Sequence, residues 1–311
     1  MRALITGSSG QIGTNLGLAL LERGDEVVGV DCRPNTWTDR IPTVRCDLNT
    51  YAPGELPVDG RFDVVVHLAA HAKVFELVEQ PHRAMENVEM CFRVLEFCRR
   101  HSVPLIFGSS REVYGDIHRH VTDESQADFV VAESPYSASK ISGEAFIYSY
   151  AQCYDLPYLV FRFSNVYGRY DCDIERLERV IPLFIRRIAG GEPIVVYGRE
   201  KVLDFTFVDD CVDGMLRGID GLVARRVNQQ TVNLAYGQGA TLVDLVNLVS
   251  LALGVEPNVR YEPARAGEVT RYVADISKAR SLLGYQPQTP LTAGVPRAIR
   301  WQREIGALPK S

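Results

Sequence analysis

The chain has 311 residues, of which 46% are hydrophobic and 23% charged. That balance excludes a disordered or fibrous protein, and the length suits about two domains or one large one. Lys and Arg number 34 against 39 Asp and Glu, a net charge of −5 with no basic run, so neither nucleic acid nor a membrane surface is an expected partner.

Arg2 opens a short apolar run over residues 2–6 that reads as a strand, too short for a signal peptide. No segment approaches the ~20 apolar residues that a membrane helix needs. Thr6-Gly7-Ser8-Ser9-Gly10-Gln11-Ile12-Gly13 follows that strand and opens a helix predicted over 12–23. Its G-x-x-G-x-x-G spacing suits a tight turn whose backbone approaches an anion, with helix N–H groups facing a pyrophosphate. A second strand, 26–31, ends at Asp31, whose carboxylate can accept both ribose hydroxyls of an adenosine and would repel a 2′-phosphate. NAD is therefore expected over NADP. A third strand, 43–45, leads into Cys46-Asp47-Leu48, where Asp47 either meets an adenine amino group or serves as a turn former.

Val64-Val65-Val66, within a strand predicted over 62–68, has no polar alternation and reads as buried on both faces. His67 near its end reads as a packed, hydrogen-bonded histidine rather than a base. Helices over 81–101 and 136–154 alternate with strands over 105–109 and 158–163, as right-handed βαβ units of a doubly wound sheet do. Tyr136 and Lys140 stand at i and i+4 on one helix face behind Pro135. A nearby ammonium stabilises phenolate, so the tyrosine is expected to titrate lower than usual and to take a proton from a sugar hydroxyl as hydride leaves the same carbon. Ser110, just past the strand, could orient that hydroxyl; its plain alternative is an N-cap or turn role.

The second half is less regular. A turn-rich passage over 168–173 marks a change of domain, Asp171 and Asp173 in it reading as a solvated loop. A helix over 178–189 closes at Gly190-Gly191, and Thr241 with Asp244 caps another whose apolar stripe is Leu242, Leu245, Val246 and Val249. A short helix over 277–283 stops at Gly284. The seven scattered cysteines read as small hydrophobes of a reducing cytoplasm rather than a disulfide or zinc framework, and no metal is expected.

Taken together these motifs resemble an extended short-chain dehydrogenase/reductase of the nucleotide-sugar epimerase/dehydratase type. The resemblance runs through 6–13, His67-Leu68-Ala69-Ala70, Asn87, 110–115, 136–140, Arg162 to Gly168, Asp204 to Asp210, Arg265-Ala266-Gly267-Glu268 and 274–279. It implies a Rossmann-type α/β fold with a smaller α/β substrate-binding domain. The cofactor domain would take 1–167, with 204–235 by interleaving, and the substrate domain 168–203 and 236–311. It further implies a tightly held NAD contacted by Gly7, Gly10, Gln11, Ile12, Gly13, Asp31, Asp47, Leu48, Leu68, Ala69, Ala70, Asn87, Tyr136 and Lys140. A nucleotide-diphosphate sugar would be transiently oxidised at carbon 4, with Ser110, Tyr136 and Lys140 catalytic. Asn165 and Arg265 fall on the substrate side, Arg265 on the diphosphate and Glu268 on the nucleotide ribose. Homodimers through 81–101 and 136–154 are expected.

Two departures bear on the activity. Arg111-Glu112 follows the serine where simple 4-epimerases carry small residues, and a glutamate there could act at carbon 5, or merely form a salt bridge. Leu203 replaces the arginine that relatives place before Asp204, leaving Lys201 or Arg199 for the phosphate contact. His71 and Lys73 are further candidates. A 4-epimerase of UDP- or dTDP-hexoses is the leading expectation, a dehydratase or decarboxylase using Glu112 the alternative, and a non-catalytic NAD-binding regulator the reading from another class.

Overall fold

A computed structural model describes residues 1–115, 124, 132–171, 179–265 and 269–308. Strands β1 (Arg2–Thr6), β2 (Glu26–Asp31), β3 (Thr43–Arg45), β4 (Val64–His67), β5 (Leu105–Ser110) and β6 (Tyr158–Phe163) form one parallel sheet. The order is β3-β2-β1-β4-β5-β6, and β10 (Gln230–Leu234) closes its far edge beside β6. The unbroken apolar runs are explained by helices on both faces. On one side α1 (Gln11–Glu22) packs with Leu16 and Leu20 against Ala3, Ile5, Val64 and Val66. On the other, α3 (His82–His101) sets Val94, Leu95 and Cys98 against Leu4, Val65 and Leu105. A short α2 (Val74–Glu79) precedes α3.

Chain order reverses between β1 and β4, whose connections leave to opposite sides. The crevice beyond the carboxyl ends of those strands is where such sheets bind ligands. Helix α4 (Pro135–Tyr154) starts there because Ser134 and Ser137 cap one another's backbone N–H and Pro135 fills the first turn.

After α4 the chain builds a second layer. Strand β9 (Val202–Phe207) pairs with β7 (Asn165–Tyr167), β11 (Gly239–Thr241) and β13 (Arg271–Tyr272), while β8 (Ile194–Tyr197) pairs with β12 (Val259–Glu262). Helices α5 (Val180–Ala189) and α7 (Leu242–Leu253) enclose a third core around Ile185, Val196, Phe205, Leu245 and Ile299. The Thr241–Asp244 capping box forms as the sequence predicts. Helices α6 (Val208–Val223) and α9 (Leu291–Glu304) were not read from the sequence, nor were the short strands of this half. Their stripes are interrupted by glycines and, in α9, by Pro296.

One stretch sits elsewhere than expected. Ala274, Ile276, Ala279, Leu283 and Tyr285, on and beside α8 (Ser277–Leu283), pack into the first core with α6. They were assigned to the substrate domain. Their apolar side chains join Met215 and Leu234 in the first core, where α6 and β10 bury them. Among the described residues no helix is long and apolar enough to cross a membrane.

Candidate active site

One cavity of about 610 Å³ runs along the carboxyl ends of the sheet. At one end lie Gly7, Gly10, Asp31, Asp47 and Leu48; Ser110, Glu112, Tyr136 and Lys140 line its middle; Asn165, Lys201, Leu203 and Arg265 line the far end. The expected groups therefore meet in a single channel.

The glycine turn is built for close approach. Gly7 has φ +76°, and a Cβ there would stand 2.7 Å from the Ala69 nitrogen. A side chain at Gly13 would collide with the Gly7 carbonyl. Asp31 fastens the turn, its carboxylate accepting from the Ser9 and Arg33 amides, both at 3.0 Å. The buried Gln11 Nε2, on a residue lining the cavity, has no hydrogen-bond partner among the described residues. A cradle that any side chain would fill, an orphaned amide and a carboxylate at the end of β2 fit the pyrophosphate and ribose of a dinucleotide. Asp47 lines this end but also caps the 3₁₀ turn Leu48–Thr50, accepting from the Asn49 amide at 2.9 Å. Ile12, Leu68, Ala69 and Ala70 line the cavity.

Asn87 does not. Its Oδ1 accepts from the His71 amide at 2.8 Å, and its Nδ2 donates to the His71 carbonyl at 3.1 Å and the Ser139 hydroxyl at 3.2 Å. Its role is to hold the loop after β4 against α4, satisfying both backbone groups of His71 while reaching Ser139 on the helix. His67 is buried, 2.6 Å from the Thr6 hydroxyl through Nδ1, and burial pushes its titration down to about 3. It is a neutral packed histidine.

Tyr136 is 8% exposed and lines the cavity together with Ser110. Burial drives its phenol up to about 12, against the pull of Ser110, Arg179 and Arg111, while Glu112 adds to the rise. This reverses the expectation of a phenol acidified by Lys140. The ammonium of Lys140 donates instead to the Gly108 carbonyl at 2.8 Å and lies 4.9 Å over the Phe107 ring. Burial brings Lys140 itself down to about 8. Helical spacing puts the two residues on one face, but the lysine's long stem reaches a buried backbone carbonyl of β5.

Ser110 combines both of its readings: its hydroxyl caps the 3₁₀ turn Arg111–Tyr114 by accepting from the Glu112 amide at 3.2 Å, and it meets Tyr136. Glu112 is buried and bonded at 2.9 Å to Arg111 Nη2, and the Arg111 guanidinium stacks 5.8 Å from the Tyr272 ring. At the far end the Arg265 guanidinium lies 3.9 Å over Tyr197 and 5.3 Å from Phe75. Lys201 lines the cavity; Arg199 stacks on Tyr261 instead and is not among the lining residues. Asn165 Nδ2 donates to the Asp204 carbonyl at 2.9 Å, and the Asp204 carboxylate is spent on the Tyr236, Gly237 and Ala274 amides. Glu268, Cys172 and Asp173 lie outside the described residues.

Two groups escaped the sequence reading. Asp171 is not solvated: it is buried, bridged at 3.1 Å to Arg179, and burial raises its titration to about 6. Arg179 also donates to Gln11. Neither residue carries a local motif that could mark it. Behind the site, Glu144 accepts from Ser109 and from Arg162. Its i+8 spacing from Tyr136 was the available signal.

The family described as NAD dependent epimerase/dehydratase matches residues 3–235. A UDP-glucuronate 4-epimerase of Arabidopsis thaliana is 31% identical, over 96% of this chain and 76% of its own length. The crystal structure of a UDP-glucose 4-epimerase from Thermotoga maritima with UDP-glucose superimposes with a TM-score of 0.88 at 27% identity, over 98% of this chain and 99% of that one. A UDP-glucuronic acid 4-epimerase from Bacillus cereus, in complex with UDP-glucuronic acid and NAD, gives 0.88 at 26% identity, over 98% and 100%. With the glycine cradle and the Ser110–Tyr136 pair on one sheet, and with the match spanning the chain from β1 to β10, this protein belongs to the NAD-dependent epimerase/dehydratase family.

Proposed function

We propose that the protein is an NAD-dependent 4-epimerase of a uridine-diphosphate sugar, working through a transient 4-keto sugar. The observation that carries this reading is the placement of Ser110, Tyr136 and Lys140 together on one cavity that also holds a dinucleotide cradle, Arg265 and Lys201. The relatives named above support the nucleotide and the position of attack.

The cradle residues Gly7, Gly10, Gln11, Ile12 and Gly13 would hold the pyrophosphate, Asp31 the ribose, and Asp47, Leu48, Leu68, Ala69 and Ala70 the adenosine side and floor. When bound, the nicotinamide supplies a reversible hydride acceptor and a positive charge. The chain's part is proton transfer and orientation. Tyr136 takes the proton of the sugar 4-hydroxyl, and Ser110 orients that hydroxyl and shares the proton. Lys140 fixes the backbone at Gly108, which sets where Ser110 stands. Arg265 and Lys201 neutralise the diphosphate, and Asn165 lies beside the sugar. Only the nucleotide end is then held by charge, leaving the sugar able to present either face.

Glu112 lies close enough to the phenol to raise its titration, which favours carbon 5 chemistry as a second reading. Its ion pair with Arg111 supports a carboxylate held for structure, and hence the epimerase. A homodimer through α3 and α4 belongs to the same proposal, supported by the exposed Met85, Phe146, Tyr148 and Tyr154 on those helices.

The test is incubation with UDP-glucose, UDP-galactose and UDP-glucuronate, followed by proton NMR. Reversible inversion at carbon 4 is the expected result. A stable 4-keto-6-deoxy product or released carbon dioxide would replace it with the second reading.

A further inference from the structure

We propose that Cys32 and Cys46 form a thiol pair at the adenosine end of the cavity, oxidisable to a disulfide that hinders dinucleotide uptake. The effect on uptake rests on the cofactor reading above; the pairing does not.

The placement follows from the ladder between β2 and β3. Val30 stands opposite Val44 and Asp31 opposite Arg45. The last bond of that ladder runs from the Cys46 amide to the Asp31 carbonyl at 2.9 Å, which brings Cys46 against the end of β2. Side chains alternate between the faces of a strand. Val30 and Val44 both point into the core under α3. Cys32 and Cys46 are the residues immediately after the two strands, and Cys46 is itself part of that core. Neighbouring strands lie about 4.8 Å apart, within the roughly 4.4–6.8 Å between Cα atoms that a disulfide spans. The proposed bridge closes by rotation of the two side chains, with Cys32 turning inward from the bend that follows β2. The two thiols already sense one another: after burial and Asp47, Cys32 is among the causes that push the Cys46 thiol up to about 11.

Access and consequence follow from position. Cys32 is exposed, Cys46 buried, and both line the cavity with Asp31, Asp47 and Leu48. Cys91, Cys98 and Cys211 are buried and do not line it. A low-molecular-weight disulfide such as oxidised glutathione suffices as the oxidant. The Cys32 thiolate attacks one of its sulfurs, a mixed disulfide forms, and one glutathione thiolate leaves and takes a proton. Cys46 then gives its proton to solvent and attacks the Cys32 sulfur, expelling the second glutathione. Two protein thiols are oxidised and one glutathione disulfide is reduced to two thiols. The second step is the slow one, because little of Cys46 is thiolate at neutral pH. The finished bridge ties the segment carrying Asp47 and Leu48 to the residue after Asp31, narrowing the slot between them.

The full chain is treated with oxidised glutathione, digested with trypsin without reductant and mapped by mass spectrometry. Peptides 24–40 and 46–61 are expected linked, two hydrogens lighter than their sum and separated by dithiothreitol. By calorimetry, the oxidised protein should bind NAD about tenfold more weakly than the reduced, with recovery on reduction, a loss of roughly 1.4 kcal/mol. Cys46→Ser should stop at a glutathione adduct on Cys32, and Cys32→Ser should abolish both adduct and link. Absence of the linked peptides while Cys32 is fully modified overturns the pairing. A link that forms with NAD affinity unchanged overturns the effect on uptake. If the reduced protein binds no NAD but the link forms, the cofactor reading has failed and the effect on uptake with it, while the pair stands.

Discussion

Glu144 stands two turns beyond Tyr136 on α4 and accepts, at 2.5 Å, the hydroxyl of Ser109, the neighbour of Ser110 at the end of β5. The same carboxylate takes both Arg162 Nε at 3.0 Å and Nη2 at 2.6 Å from β6. The helix that carries the phenol is thus stapled to the strand that carries the serine.

Replacing Glu144 by Gln leaves the buried Arg162 without its counter-charge. Breaking such a pair costs about 3–5 kcal/mol, partly offset here by the amide oxygen. Urea titration should show a loss of at least ~2 kcal/mol. If Ser110 moves with Ser109, kcat for epimerisation should fall more than KM rises.

Tyr136→Phe should lower the epimerisation rate by about 10²–10⁴, the usual contribution of a positioned acid–base group. Lys140 is cationic below about 8 and neutral above it, since burial brings it down from the ordinary lysine value. The rate should therefore decline as the pH rises through that value. Lys140→Met should lower the rate and abolish this limb; a limb that persists in the variant would assign it to another group.

His67 ties stability to pH. Burial holds its folded titration near 3 against 6.5 when unfolded, so between these values the unfolded chain binds the extra proton. Stability from this site is complete above pH 6.5 and drains away as the pH falls toward 3, by on the order of 5 kcal/mol at most. Asp171 and Asp204, raised to about 6 by burial, act oppositely: folding favours their protonated forms, and stability rises as pH falls from 6 towards 3.8. Two carboxyls outweigh one imidazole, so the three groups together should give the wild type a modest gain in denaturant titrations as the pH falls from 6 to 4, and His67→Asn should gain more steeply across the same window.

Glu112→Gln should retain epimerisation within about tenfold, since the glutamine oxygen can still accept from Arg111. Loss of turnover beyond about a thousandfold, with NAD binding intact, would place Glu112 in proton transfer at the sugar.

The frame of this protein is written in local pattern. Three glycines behind a five-residue strand, an acid at the end of the next and unbroken valine runs are short-range features, each with one dominant conformational answer. They sufficed for the parallel sheet, its cradle and the Y-x-x-x-K helix. Direction and environment of side chains were not legible in the same way. Lys140 shares a helix face with Tyr136 yet spends its charge on the Gly108 carbonyl, 32 residues away in sequence. Asn87 turns from the cavity to the His71 backbone, and Asp171 leaves solvent to meet Arg179. Burial then lifts the Tyr136 phenol where a count of nearby charges would lower it. Periodicity assigns a residue to a face; which donor reaches which acceptor, and how much water remains around them, is decided only when distant segments pack.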